Sequence, residues 1–172
     1  MANVETTVER LQTYSPEDAA ALGVLREHMS SWRPNVPVQE RILRDFAEHP
    51  DQRVLVVARL ATDGLIVSAE TLNLSASPDV GAMDIGRSAI LGFVSTHNDY
   101  RKRGIFGKVW LEGLEWCAEN EIDTINFWSR DEAHRQDARR FYTNHGAKPV
   151  PTELFRLHVE PALKYARREV SR

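Results

Sequence analysis

Cysteine occurs once in these 172 residues, as Cys117. An intramolecular disulfide is therefore excluded, and nothing calls for an oxidising compartment. An excess of one charge is missing too: 22 Lys and Arg stand against 25 Asp and Glu, a net charge of −3. That balance argues against a polyanionic partner such as nucleic acid. No apolar run approaches the roughly 18 residues of a membrane span. The opening MANVETTVERL has no apolar stretch of the kind a signal peptide needs. These absences predict a cytoplasmic protein with no membrane and no nucleic-acid partner. Two common nucleotide-binding patterns are absent as well. Gly107-Lys108 is followed by Val109 instead of Ser or Thr, and Gly104 and Gly107 have no third glycine to complete G-x-G-x-x-G.

What is present is ordinary in bulk, with 42% hydrophobic and 27% charged residues. The length predicts a single domain over residues 1–172, large enough to bury a core without staples. Thr7 to Tyr14 alternates as a first strand. Ser15-Pro16-Glu17-Asp18 starts a helix reaching about Met29, with a capping hydroxyl, a first-turn proline and acids. Trp32-Arg33-Pro34-Asn35 breaks the chain. Val38, Ile42, Leu43 and Phe46 mark a second helix ending at Glu48. Val54 to Leu60 and Leu65 to Leu74 read as strands turned at Thr62-Asp63-Gly64, followed by a loop, Ser75 to Gly86. Ala89 to Thr96 is the next strand.

The most informative segment runs from Phe93 to Gly107, FVSTHNDYRKRGIFG. An apolar strand enters a basic, glycine-punctuated turn, and a helix follows whose buried face is Phe106, Val109, Trp110, Gly113, Leu114 and Cys117. The first amides of a helix lack partners and carry about half a positive charge, which suits a phosphate. Gly104 lets the backbone approach an anion closely, and Arg101, Lys102 and Arg103 add charge at the rim. Ile122 to Trp128 is a further strand. Ala138, Phe141, Tyr142 and His145 then recur at helical spacing, with Gly146 as a stop. Glu153 to His158 is a last strand, and Pro161 to Arg172 a short basic tail, helical in part.

Arg101-x-x-Gly104-x-Phe106 after Val94-Ser95-Thr96 closely resembles the acetyl-coenzyme A loop of the GCN5-related N-acetyltransferase (GNAT) superfamily, with Phe106 where a small residue is usual. Ala138, Phe141, Tyr142 and Gly146 match a second motif of that superfamily, in which Arg135 stands where Asn is usual. The two motifs cover the C-terminal half of the chain. The resemblance implies an α/β fold: a central twisted mixed sheet with helices on both faces, and a splayed strand pair, Ala89–Thr96 and Ile122–Trp128, holding the cofactor.

The implied activity is acetyl transfer from acetyl-coenzyme A to a primary amine, on a small molecule or a peptide, by direct attack and without a metal. The implied cofactor contacts are Phe93, Val94, Ser95, Thr96, Arg101, Lys102, Arg103, Gly104, Ile105, Phe106, Gly107, Arg135 and Tyr142. The acceptor would enter from the side lined by the two N-terminal helices, around Trp32 to Val38, and by the loop Ser75 to Gly86. A homodimer is compatible with the resemblance, though no apolar stripe demands one.

For the chemistry, a main-chain N–H near Val94 can stabilise a tetrahedral oxyanion. Tyr142 holds the position often assigned the general acid. A tyrosine, with a reference pKa of ~10, can donate to a thiolate whose own is ~8.5. The superfamily often places a base at the position of Gly92. Glu70, His97 and Asp99 are candidates in its stead, alongside a water chain. Cys117, on an apolar helix face, reads as core. Asp131, Glu132 and His134 lack a recognisable metal-ligand spacing. The rival reading is a non-catalytic acyl-coenzyme A sensor.

Overall fold

The computed structural model describes residues 4–27, 36–74, 87–128, 136–149 and 154–171. Ser15 and Asp18 start the first helix as expected. The Ser15 amide donates to Asp18 Oδ2 at 2.9 Å and the Asp18 amide to Ser15 Oγ at 3.2 Å, a reciprocal cap. This is α1, Pro16–Glu27, between strand β1, Thr6–Arg10, and helix α2, Val36–Glu48. Strands β2, Arg53–Leu60, and β3, Ile66–Leu74, form the expected hairpin. Gly64 turns it at φ +74°, and Asp63 Oδ1 accepts the Leu65 amide at 3.0 Å.

Strand β4, Ser88–Thr96, leads through a 3-10 turn at Asn98–Tyr100 into helix α3, Ile105–Glu119. Then follow β5, Thr124–Trp128, α4, Gln136–Asn144, the two-residue β6, Lys148–Pro149, β7, Leu154–His158, and α5, Val159–Val170. The sheet has seven strands in the order β1-β2-β3-β4-β5-β7-β6. Alternation along β2 builds both faces. Val54, Val56, Ala58 and Leu60 join a core with Trp110 and Leu114 of α3 and Ala162 and Leu163 of α5. Leu55 and Val57 join the opposite core with Leu22 and Leu25 of α1 and Leu43 and Phe46 of α2. Arg10 ties the edge strand to α3 through Glu112, at 2.7 Å, and Glu119.

Two irregularities position the site. In β4, Leu91 faces Leu72 and Val94 faces Glu70, so Gly92 and Phe93 together oppose Thr71. This is a bulge, in which the Phe93 amide donates to Thr71 Oγ1 at 2.7 Å. A Cβ at position 92 would stand 2.7 Å from that same oxygen, so the bulge needs glycine. The second irregularity is the junction of β4 and β5. Their parallel pairing runs Ser88–Thr124, Ala89–Ile125 and Ile90–Asn126 and then ceases. The strands part after their first residues, as the resemblance implied.

The first strand, β5 and the tail differ from the sequence reading in ways the structure explains. The first strand is shorter because the chain turns at residues 12–13 before the α1 cap. Strand β5 begins at Thr124, since Ile122 closes the α3 terminus through a bond from its amide to the Cys117 carbonyl, 2.9 Å. The tail is a twelve-residue helix that starts at Val159. Pro161 sits in its first turn, where its missing N–H is no loss. Val159, Ala162, Leu163 and Ala166 form its buried face. No helix among the described residues is long and apolar enough to cross a membrane.

Candidate functional site

The site begins at the parted strands. Antiparallel pairing makes alternate residues of β4 face β3. The His97 amide bonds to the Val67 carbonyl at 2.8 Å, which places the main-chain groups of His97 and Ser95 toward β3. Those of Val94 and Thr96 point the other way, into the gap beside β5. The Thr96 carbonyl accepts from Arg101 Nε at 3.0 Å, which folds Arg101 back along its own loop. Phe93 faces the α1–α2 core, and Ser95 Oγ donates to the Leu25 carbonyl at 2.9 Å. These two candidates therefore brace the strand, while Val94 and Thr96 line the gap.

The turn beyond is exposed. Lys102 adopts φ +60° and Gly104 φ +75°, and the Arg103 guanidinium lies 5.9 Å from the Tyr100 ring centre. Gly104 caps α3 with no side-chain hydrogen bond, so the amides of Ile105, Phe106 and Gly107 open the helix without a capping acceptor. The space around Gly104 and Gly107 is open, with nothing within 4 Å of an added Cβ. These residues fit a diphosphate: free donors, a positive helix end and room for close approach. The Ile105 side chain is buried in the core. Phe106 turns its ring onto Phe141 at 5.0 Å and so leaves the anion position clear despite its bulk.

Behind Gly107 lies a cavity of about 340 Å³ reached by Lys108, by Asn144 and His145 at the end of α4, and by Tyr165 of α5. The His145 ring is sandwiched between Phe141, 4.2 Å, and Tyr165, 4.7 Å, and its Nδ1 lies 2.8 Å from the Phe141 carbonyl. Burial holds its pKa below the usual histidine value. The cavity is not legible in a reading that makes residues 161–172 a short tail, because Tyr165, Ala166, Glu169 and Val170 of α5 form one of its walls. The i, i+3, i+4, i+7 spacing of Val159, Ala162, Leu163 and Ala166 was the available signal.

Tyr142 is buried, its ring 5.2 Å from Trp110 and 4.6 Å from Phe127 of β5. Its hydroxyl has no hydrogen-bond partner among the described residues. Burial pushes its pKa well up, and an ionised Glu70 would add to the shift. Glu70 is itself fully buried, its pKa driven well above the carboxylate range by desolvation. A group protonated in the fold and ionised in the unfolded chain stabilises below its unfolded pKa. That contribution fades as pH rises toward the folded value.

Burial also pushes the Cys117 thiol up, so it stays protonated in the core. His97 Nδ1 lies 3.3 Å from the Asp99 amide and 3.8 Å from its carboxylate, at the mouth of the gap. Arg135, Trp32, Asp131, Glu132, His134 and the loop Ser75 to Gly86 lie outside the described residues, and so does the α1–α2 break. Among the described residues no group of three or more His, Cys, Asp or Glu could hold a metal ion.

Gly113 was legible as part of a buried helix face but not as a seat. A Cβ there would stand 1.8 Å from Glu70 Oε1 and 3.1 Å from Leu72 Cδ1. Gly113→Ala is expected to destabilise the fold by about 1–3 kcal/mol through overpacking. That outweighs the 0.5–1 kcal/mol or so that alanine contributes in an exposed helix. Urea midpoints of the two proteins read the sign directly.

No family model matches the sequence, and no curated protein matches it. Solved structures do, at low identity. An acetyltransferase of the GNAT family from Staphylococcus aureus Mu50 is 15% identical, with TM-score 0.67 over 91% of this chain and all of that one. The NatC complex bound to Gag peptide and CoA gives 15% and 0.69 over 90% and 98%. Apo FdhC, a nucleotide-linked sugar GNAT, gives 10% and 0.70 over 98% and 94%.

Proposed function

We propose, from a chain that has the GNAT fold, an N-acetyltransferase that passes an acetyl group from acetyl-coenzyme A directly to a primary amine. One observation carries this reading: β4 and β5 part after three residue pairs, and the uncapped end of α3 opens at the mouth of that gap. Bound coenzyme would supply the activated acetyl group; everything else falls to the chain. The amides of Ile105, Phe106 and Gly107, with Arg101, Lys102 and Arg103 around them, hold the diphosphate. The main-chain groups of Val94 and Thr96 hold the pantetheine arm as a neighbouring strand would. The cavity behind Gly107 receives the nucleotide end, and Arg135 remains a proposed contact. Tyr142 donates the proton that the departing sulfur needs. Of the base candidates, His97 and Asp99 stand at the gap's mouth, and water can serve beside them.

The structural neighbours carry different molecules in their names, a bound peptide in one and a nucleotide-linked sugar in another. A shared fold does not choose between them. The acceptor is therefore proposed only as an amine on a small molecule or a peptide. A second reading, a sensor that binds acyl-coenzyme A without turnover, draws on Gly92, where the bulge leaves no room for an acid.

Acetyl-coenzyme A at about a hundredfold excess over its Kd should add about 2.7 kcal/mol of stability, raising Tm by about 5–10 °C for a chain of this size. Thiol release against a polyamine, an amino acid, an aminoglycoside and a peptide N-terminus then separates the readings. Binding with release supports the transferase, binding without release the sensor, and no binding ends both.

A further inference from the structure

Three buried polar side chains without partners lie between β3, α3 and α4. Glu70 is 0% exposed. Neither of its carboxyl oxygens has a hydrogen-bond partner among the described residues, and neither does Trp110 Nε1 or Tyr142 Oη. Their placement is connected. Gly113 leaves the hollow in which Glu70 Oε1 rests. Trp110 stands one turn earlier on the same helix face, and its ring abuts Tyr142. Glu70 is close enough to act electrostatically on both Tyr142 and Cys117.

Buried donors and acceptors in native proteins are matched, to one another or through ordered water. Full burial of Glu70 with no cation beside it among the described residues, more than any donor count, favours the protonated carboxyl. An indole N–H only donates, a phenol does both, and a carboxyl donates only when protonated. The titratable groups facing Glu70 are Cys117 of α3 and Tyr142 of α4. Arg10 of β1 acts on Cys117 but is taken up by Glu112 and Glu119. No cation therefore compensates an ionised Glu70 among the described residues. Its side chain also lies on the α3 side of the sheet, away from the α1–α2 side proposed for the acceptor, which suits it poorly to deprotonating an amine.

We propose instead that Glu70 is a positioning residue for Tyr142: its protonated carboxyl, seated over Gly113, donates a hydrogen bond through one internal water to the tyrosine oxygen, and steadies the phenolate formed when Tyr142 gives up its proton. The inference rests on the acetyl-transfer reading above. Burial alone lifts the Tyr142 pKa further above that of the thiol it must protonate, and a donor aimed at its oxygen lowers it again. In the step, the Tyr142 O–H bond breaks and an S–H bond forms, leaving the electron pair on the phenolate. Glu70 keeps its own proton throughout. The proton shed by the acetylated nitrogen restores Tyr142, so the protein ends unchanged.

The test uses the purified chain in two arms. Infrared difference spectra at neutral pH, wild type minus Glu70→Gln, should show a protonated carboxyl band that shifts in a Tyr142→Phe background. In the kinetic arm, run with the panel amine that wild type acetylates fastest, Glu70→Gln should keep kcat within about threefold because its amide still donates. Glu70→Met should lose about tenfold or more while its Kd for acetyl-coenzyme A stays within about twofold. Absence of the band, wild-type kcat in Glu70→Met, or equal losses in both variants (the mark of an ionised base) would each overturn the assignment. Should Glu70→Met fail to fold, the band and its shift decide alone. A wild type that loses turnover in Tyr142→Phe but ignores Glu70→Met rejects this role and leaves acetyl transfer standing. A wild type without affinity for acetyl-coenzyme A rejects the transfer reading itself.

Discussion

Tyr142→Phe should lower kcat for thiol release by about a hundredfold, the lower end of what a positioned acid contributes, while acetyl-coenzyme A binds as before. The split follows from where the two halves of the side chain sit. The ring is held between Trp110 and Phe127 by contacts that phenylalanine reproduces. The oxygen bonds to no described residue, so its removal breaks no direct tie in the fold. Tm should therefore move by only a few degrees, in keeping with a loss of about 1 kcal/mol. Calorimetry gives the affinity and single-turnover thiol release gives the rate. Turnover that survives the substitution removes Tyr142 from the chemistry.

Gly104→Glu should act on binding instead, raising the Kd for acetyl-coenzyme A by about a hundredfold, since like charges brought together cost several kcal/mol. Two effects combine. At φ +75° any side chain is strained, by about 1–2 kcal/mol. The new carboxylate also competes for the amides that open α3. Gly104→Ala carries the strain without the charge and should weaken binding by well under tenfold. If the two variants bind alike, the diphosphate lies elsewhere.

The elements around this site were legible because local chemistry marks them. Ser15 and Asp18 announce α1 in four residues, and Gly146, at φ +92°, ends the Tyr142 segment where the pattern stops. The loop from Arg101 to Gly107 announces itself by charge and glycine before any fold is known. Other features depend on partners far along the chain. The bulge at Gly92 and Phe93 exists because Thr71 offers an oxygen across the strand, and no window around Gly92 contains Thr71. Glu70 reads as a candidate base from its place on the strand beside β4. Only the packing of α3 over it buries that carboxyl and drives its pKa up. Phe93 and Ser95 fell in the right strand, yet the alternation of their neighbours, set by pairing to β3, turns them away from the gap.

The narrow junction of β4 with β5 reaches beyond chemistry. Within the sheet, among the described residues, three residue pairs join the four-strand half to the three-strand half. Cooperativity between the halves must pass through that short hinge and through the helices packed across it. A molecule laid along the parted edges adds rungs where the protein has few, so occupancy would be felt as stiffness throughout the sheet.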